Sequence, residues 1–331
     1  MSGEVFIDWI TAHQQHPGGG LPVVFQTLDV KYSREGVALR ERACPSVVQG
    51  SFDSAIRVGC NGFRVYLSGN VGRFGREDNL FNYRWAGTRA AANRILLDLG
   101  LPPFSAGGVS ENGDVTRGAR VSRLDVTANF AAGSEAQGHA VIRWLASQSV
   151  RRAKRGQAGN ESVWWANTRK MFKAYLKGPE LEAHGMSPDE FQAAWCRRVG
   201  LVRVEVEVKK RLLCELGLDD WGGITDEKLE ACYHDQTALL RKVDRSDEPD
   251  ILAGIPARYR MTAAAWLAGQ DVRSLLGQAS LYRHARVLRE YDLDILQYRN
   301  VEALRVKVRV VDLQPLAVPD WYQPFLKVVN S

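Results

Sequence analysis

Apolar and polar residues alternate along much of the first two thirds of the chain. Val5–Thr11, Val23–Lys31, Val37–Ala43 and Ser54–Cys60 read as strands, because residues two apart share a face of an extended segment. Asn61–Gly62 is a hairpin signal, with Phe63–Ser68 as its return strand. The meander has one apolar and one polar face, as in an antiparallel sheet wetted on one side. Gly69–Leu80, GNVGRFGREDNL, has no period and reads as a loop. Thr88–Leu99 has helical spacing (Ala91, Ile95, Leu96, Leu99) and stops at Gly100 before Pro102 and Pro103. Ser105–Gly118 is rich in glycine and reads as a mobile loop.

In the middle third, Val121–Phe130 reads as a strand, and Ser134 caps a helix running to about Ser147. Ser162–Asn167 and Lys170–Lys177 pair as a hairpin broken by Gly178–Pro179, leaving Glu180–Gly185 at most a helical turn. Ser187, Pro188, Asp189 and Glu190 form a helix-start pattern. That helix ends near Gly200 and feeds a strand at Leu201–Lys210. Beyond Ile224 the pattern turns helical, with candidates at Thr225–Val243, Met261–Leu267, Ser274–Leu276 and Ser280–Tyr291, around a charged linker at Arg245–Pro249. Val301–Asp312 alternates once more. These elements predict an α+β fold: a largely antiparallel sheet carrying the active site, flanked by helices, with a mainly helical C-terminal region. They divide into residues 1–104, a catalytic region at 105–222, and 223–331.

Composition adds little to this pattern. A net charge of +6 favours an anionic partner. The five cysteines are odd in number and scattered, with no CxxC pair, so they read as reduced thiols. The first residues lack the basic and apolar segments of a signal peptide, and no apolar run reaches the ~20 residues that span a bilayer. A soluble, intracellular protein is expected.

The chemistry concentrates in three strands. Lys173, Tyr175 and Lys177 share a face in an extended segment, Arg123 and Asp125 share one in the strand before, and Arg203, Glu205, Glu207 and Lys209 share one in the strand after. A tyrosine between lysines can attack phosphate if charge lowers its pKa; the same pattern also fits a tyrosine packed at a sheet edge. Asp125, Glu180 and Glu205 are candidate oxygen ligands for Mg²⁺ or Mn²⁺, and equally candidates for ion pairs with Arg123 and Arg203. None of the six histidines forms an H-x-H pair, and no P-loop, GxSxG or HExxH motif is present. His13 and His16 read as surface residues beside a turn. Basic runs at Arg151–Arg155 and on Ser280–Tyr291, which exposes Arg283, His284, Arg286 and Arg289, fit nucleic-acid contact, the second as the reading helix of a helix-turn-helix-like unit.

Ordered motifs extend this reading. SRLDVT (Ser122–Thr127), W-x-N-x-R leading into AYLKGPEL (Trp165–Leu181), GLVRVE (Gly200–Glu205) and the terminal PDWY (Pro319–Tyr322) resemble the replication initiators of filamentous phages, the gene II endonuclease family. FIDWI (Phe6–Ile10) and the Gly69–Leu80 loop extend the resemblance over nearly the whole chain. The trio R-x-D, Y-x-K-x-x-E and R-x-E is also similar to the single-tyrosine initiators of rolling-circle plasmids. The resemblance implies Tyr175 as the nucleophile that nicks the plus-strand origin through a 5′-phosphotyrosine, with Lys177 beside it. By analogy with the plasmid initiators it implies Asp125, Glu180 and Glu205 as metal ligands. Arg123, Lys173, Arg203, Arg283, Arg286 and Arg289 are the expected DNA contacts. The implied partners are double- and single-stranded phage origin DNA, a host helicase and a DNA polymerase; a homodimer is compatible with this scheme. Glu207 departs from family members that carry a basic residue there. A non-catalytic, repressor-like DNA-binding regulator and an RNA-binding α+β domain are the competing readings.

Overall fold

The computed structural model describes residues 4–25, 27–109, 115–147, 153–238, 252, 255–267, 270–291, 293–296 and 315–326. The expected strand at Val301–Asp312, the linker Arg245–Pro249 and part of Arg151–Arg155 lie outside these residues. In chain order the elements begin with β1 (Phe6–Gln15), β2 (Val23–Val24), β3 (Thr27–Tyr32), β4 (Ala38–Cys44), β5 (Ser46–Gln49), β6 (Ala55–Asn61), β7 (Arg64–Gly69) and α1 (Trp85–Asp98). The middle third holds β8 (Gly107–Val109), β9 (Val115–Arg117), β10 (Arg120–Ala131), α2 (Glu135–Ser147), β11 (Lys154–Ala158), β12 (Ser162–Ala166), β13 (Lys170–Leu176), α3 (Lys177–Ala183), α4 (Phe191–Val199), β14 (Leu201–Lys209) and α5 (Lys210–Leu216). There follow α6 (Asp226–Gln236), α7 (Ala257–Leu267), α8 (Val272–Leu275), α9 (Gln278–Leu288) and α10 (Gln323–Leu326).

Ten strands form one sheet in the order β11-β12-β13-β14-β10-β1-β7-β6-β2, with β5 also on β6. Every pairing within it is antiparallel, so the fold is α+β. The N-terminal meander and the strands of the middle third therefore share one sheet, joined where β1 pairs with β10. Leu124, Val126, Ala128 and Phe130 of β10 and Val202, Val204, Val206 and Val208 of β14 point to one side. There they meet Ala92, Ile95 and Leu96 of α1, Ile142 and Leu145 of α2, and Leu212, Leu213 and Trp221. Removing one such leucine to alanine typically costs about 2–5 kcal/mol.

Among the described residues the opposite face is covered only at one end. Phe6, Leu80, Phe81, Leu181, Trp195, Leu201, Val318 and Tyr322 make a separate apolar cluster there, formed by the Gly69–Leu80 loop, α3, α4 and residues 315–326. The tail is tied in by the Leu316 N–H donating to the Asn129 carbonyl, 2.7 Å. Among the described residues the other end of this face is open. The candidate site lies where cover gives way to open sheet.

Several elements differ from the sequence expectation. Val23–Lys31 splits into β2 and β3, which belong to different sheets. Lys177 is not strand: α3 starts there, because Pro179 falls in the first turn, where a missing N–H costs nothing. Ser187 does not cap a helix. The Glu190 N–H returns to the Ser187 carbonyl at 3.0 Å and the Glu190 carboxylate accepts from the Ser187 N–H at 2.8 Å, closing a turn before α4. Ser105–Gly118 contains a short hairpin of β8 and β9. His13 is half-buried within β1, and His284 turns inward, bonded to the Thr262 hydroxyl at 2.8 Å and edge-on to Tyr259.

Candidate active site

Register brings the three motif strands together. Lys173 of β13 lies opposite Glu205 of β14, which lies opposite Thr127 of β10; Glu207 lies opposite Asp125, and Asp125 opposite Trp9. An irregularity in β1 between Ile7 and Trp9 inserts Asp8. Such a bulge sets two residues against one and re-aims a side chain, and Asp8 reaches the same face as Tyr175.

The Tyr175 hydroxyl donates to Glu205 Oε1 at 2.5 Å, and the side chain is 4% exposed. The Lys173 ammonium sits 4.0 Å from Glu205 Oε2 and 4.1 Å from the centre of the Tyr175 ring. Burial and the charge of Glu205 push the Tyr175 phenol well above its ordinary value. Burial and the nearby Asp8 carboxylate push Glu205 up as well. The phenol is therefore held neutral, with its proton directed at Glu205. This corrects the expectation that flanking lysines make a phenolate: Lys177 lies in α3, and the charge closest to the hydroxyl is a carboxylate.

Lys177 is completely buried; its Nζ donates to Glu180 Oε2 at 2.5 Å and to Asn79 Oδ1 at 2.7 Å. Burial and the neighbouring Arg203 charge lower its pKa, while burial of Glu180 is outweighed by Lys177 and Arg203, which lower that carboxyl. Arg203 is also fully buried. It donates to Asn129 Oδ1 (3.0 Å) and to the carbonyls of Asn79 and Leu80 (2.6 Å each), and lies 3.7 Å from Asp8. It is a strut beneath the site and has no surface to offer DNA, contrary to the sequence expectation. Alternation put Arg203 on the correct face, but the Gly69–Leu80 loop covers that end.

Asp8, unread in the sequence, accepts from Asn70 Nδ2 (2.8 Å), Asn79 Nδ2 (3.1 Å) and Asn82 Nδ2 (3.4 Å). Burial opposes its charge, but Arg203 and Lys177 outweigh this and lower its pKa. The signal was a lone acid inside the apolar FIDWI. Gly72 makes room for this cluster: a Cβ there would stand 1.5 Å from Asn82 Oδ1.

The proposed metal ligands do not gather into one donor set. Asp125 is held by Arg123 at 2.9 and 2.7 Å, and Arg123 reaches Glu207 at 3.1 Å. Burial pushes Asp125 up to about 7 despite Arg123. Glu180 is taken by Lys177, and Glu205 by Tyr175. Among the described residues no three His, Cys, Asp or Glu side chains stand together as an ion would require. A cavity of about 180 Å³ lined by Asn79, Glu180, His184 and Arg73 lies beside the Lys177–Glu180 pair but is not lined by Tyr175.

Of the C-terminal arginines, Arg283 and Arg286 are exposed on α9, which buries Leu281, Ala285 and Leu288. Arg289 is paired with Asp294 at 3.3 Å.

Residues 108–227 match the family described as the N-terminal part of the phage gene II replication-associated protein, and residues 253–326 match the family described as its C-terminal part. The first span contains Tyr175, Lys177, Glu180, Arg203 and Glu205. The chain belongs to the gene II family of replication-associated proteins. It is 25% identical over 314 residues to the gene II replication-associated protein of Escherichia phage If1, covering 81% of this chain and 97% of that protein. The corresponding protein of Enterobacteria phage I2-2 is 26% identical over 184 residues, covering 50% of this chain and 49% of that protein. Asp8, Asn70, Asn79 and Asn82 precede the first matched gene II span, yet Asn79 holds its buried Lys177 and Arg203, and Asp8, held by Asn70 and Asn82, lies against Arg203. Tyr322, in the second gene II span, braces the loop that supplies Asn70 and Asn79.

Proposed function

We propose that the chain starts the rolling-circle replication of a filamentous phage by cutting and later rejoining one DNA strand through Tyr175. In this reading the phenol oxygen attacks the scissile phosphorus while its proton passes to Glu205. The bond to the 3′ oxygen breaks, that oxygen takes a proton from solvent, and the 5′ phosphate stays on the tyrosine. Lys173, half-exposed on the same face, offsets charge that builds on the phosphate oxygens. Lys177 and Arg203 fix the site from below. The phosphotyrosine retains the phosphodiester free energy, so the reverse step can reseal a displaced strand, while a host polymerase extends the 3′ end and a helicase unwinds ahead of it. Asp125 is engaged by Arg123 and Glu180 by Lys177, so each of these acids already has its cation.

The observation that carries the reading is the 2.5 Å hydrogen bond from the Tyr175 hydroxyl to Glu205 within the family's A-Y-L-K motif. The test uses supercoiled plasmid carrying the cognate origin. The parent protein is expected to give nicked circles and a covalent protein–DNA adduct; Tyr175→Phe gives neither. Glu205→Gln slows adduct formation by about 10²–10⁴, the range for loss of a general base. A Tyr175→Phe protein that still forms adduct ends this proposal, and intact circles with the parent protein favour a non-catalytic DNA-binding regulator.

A further inference from the structure

The wing of the sheet beyond Tyr175 carries an aromatic side chain that neither the fold nor the proposed chemistry uses. In β12, Val163 and Trp165 face the core, where Trp165 packs on Phe172 at 5.3 Å between ring centres. Trp164 points the other way and is half-buried on the same face as Tyr175. It lies opposite Lys173 on one side and Gly156 of β11 on the other. Its indole crosses the β11 backbone: a Cβ on Gly156 would stand 2.2 Å from two ring carbons and 2.5 Å from Nε1. Only glycine admits the ring in this position.

The three strands around the indole carry charge of one sign, and the carboxylate of Glu205 in β14 lies beyond Lys173, 4.0 Å from its ammonium. Every charged residue of β11, β12 and β13 is a cation: Lys154, Arg155, Lys170 and Lys173. Arg155 donates to the Ala146 carbonyl and Lys170 to Gln236, which leaves Lys154 and Lys173 on the open side. Lys154 is exposed and Lys173 half-exposed. An aromatic ring flanked by cations on a solvent-facing sheet suits an unpaired base with a phosphate to either side. A base-paired duplex keeps its base faces stacked and offers none to an indole. Tyr175 is the diagonal neighbour of Trp164 across the β12–β13 pair, which puts their backbones about 7–8 Å apart. That separation matches a nucleotide adjoining the phosphate under attack.

We infer that Trp164, seated over Gly156 and flanked by Lys154 and Lys173, is the platform on which an unpaired base next to the scissile phosphate stacks. The inference rests on the Tyr175 reading only for which base is held.

The experiment measures binding of the full chain carrying Tyr175→Phe to single-stranded origin oligonucleotides by fluorescence anisotropy. An abasic site is moved through the positions flanking the nick. With Trp164 present, loss of one particular base is expected to weaken binding about 5- to 150-fold, the range for one base–aromatic stack. In Trp164→Ala that position loses its penalty while the others keep theirs, and Trp164→Phe retains part of it. Gly156→Ala, which leaves the indole in the chain but denies it its seat, reproduces the Trp164→Ala profile. Identical abasic profiles for parent and Trp164→Ala overturn the inference, as does an equal loss of affinity for fully paired duplex. Should Trp164→Ala fail to fold, Trp164→Phe and Gly156→Ala supply the same comparison. Failure of the parent to form a covalent adduct would end the Tyr175 reading and leave this binding comparison intact.

Discussion

Two side chains on one strand pair pull the pH dependence of stability in opposite directions. Burial, with Arg64, Lys210 and Arg120 nearby, lowers His13 to about 4, whereas burial raises Asp125 to about 7. Between about pH 4 and 6.5 the unfolded chain carries a proton on His13 that the native protein lacks, so this residue makes stability rise with pH. Over roughly pH 4 to 7 the native protein keeps a proton on Asp125 that the unfolded chain loses, so this residue makes stability fall. The two slopes largely offset each other. Relative to the parent, His13→Gln should therefore lose stability as pH rises through this window and Asp125→Asn should gain it, as read from thermal midpoints between pH 4 and 8; midpoints of both variants parallel to the parent would refute this. At this scale the sequence was legible where alternation and motif agreed: Tyr175 and Glu205 do share a face and a hydrogen bond. It was illegible where burial decided. Asp8 needs a bulge to reach the site, and Arg203 is exposed by strand parity yet covered by a loop far away in the chain.

β10 and β14 followed their alternation closely, since each buries one face against helices and a one-residue slip would turn every valine of β14 outward. Elements at strand ends were harder to read. α5 begins immediately after β14 with KRLLCEL, too short for a helical period to separate from the strand before it, and α3 begins at Lys177, one residue before a Gly-Pro that resembles a stop. The Gly69–Leu80 loop has no period because its residues serve different partners: Asn70 and Asn79 serve Asp8, Asn79 also serves Lys177, and Arg76 serves Tyr322. Gly72→Ala tests whether this loop sets the site. The added methyl overlaps Asn82, so stability should fall by about 1–3 kcal/mol, the usual cost of overpacking. Adduct formation should slow as Asn82 and Asn70 leave Asp8. A variant with the parent's urea midpoint and adduct rate would show that the loop tolerates the displacement.

At the scale of the molecule, the N-terminal and middle segments are one sheet, a fact their separate alternation patterns could not reveal because strand order is set by non-local pairing. The tail closes the arrangement. The Tyr322 hydroxyl meets Asp78, accepts from Arg76 at 2.6 Å and is completely buried. Tyr322→Phe leaves the ring in place but strips Arg76 and Asp78 of a partner, an expected loss of about 1–3 kcal/mol. A thermal midpoint unchanged from the parent would show that the two side chains satisfy each other without it.

The same tail has a consequence in time. A ribosome releases Tyr175, Lys177 and Glu205 long before it releases Tyr322, so a growing chain presents the Tyr175–Glu205 pair while the loop above Asp8 still lacks its brace. The frame around that pair is thus secured late in synthesis, and fragments that stop short of residue 315 would carry it without its brace.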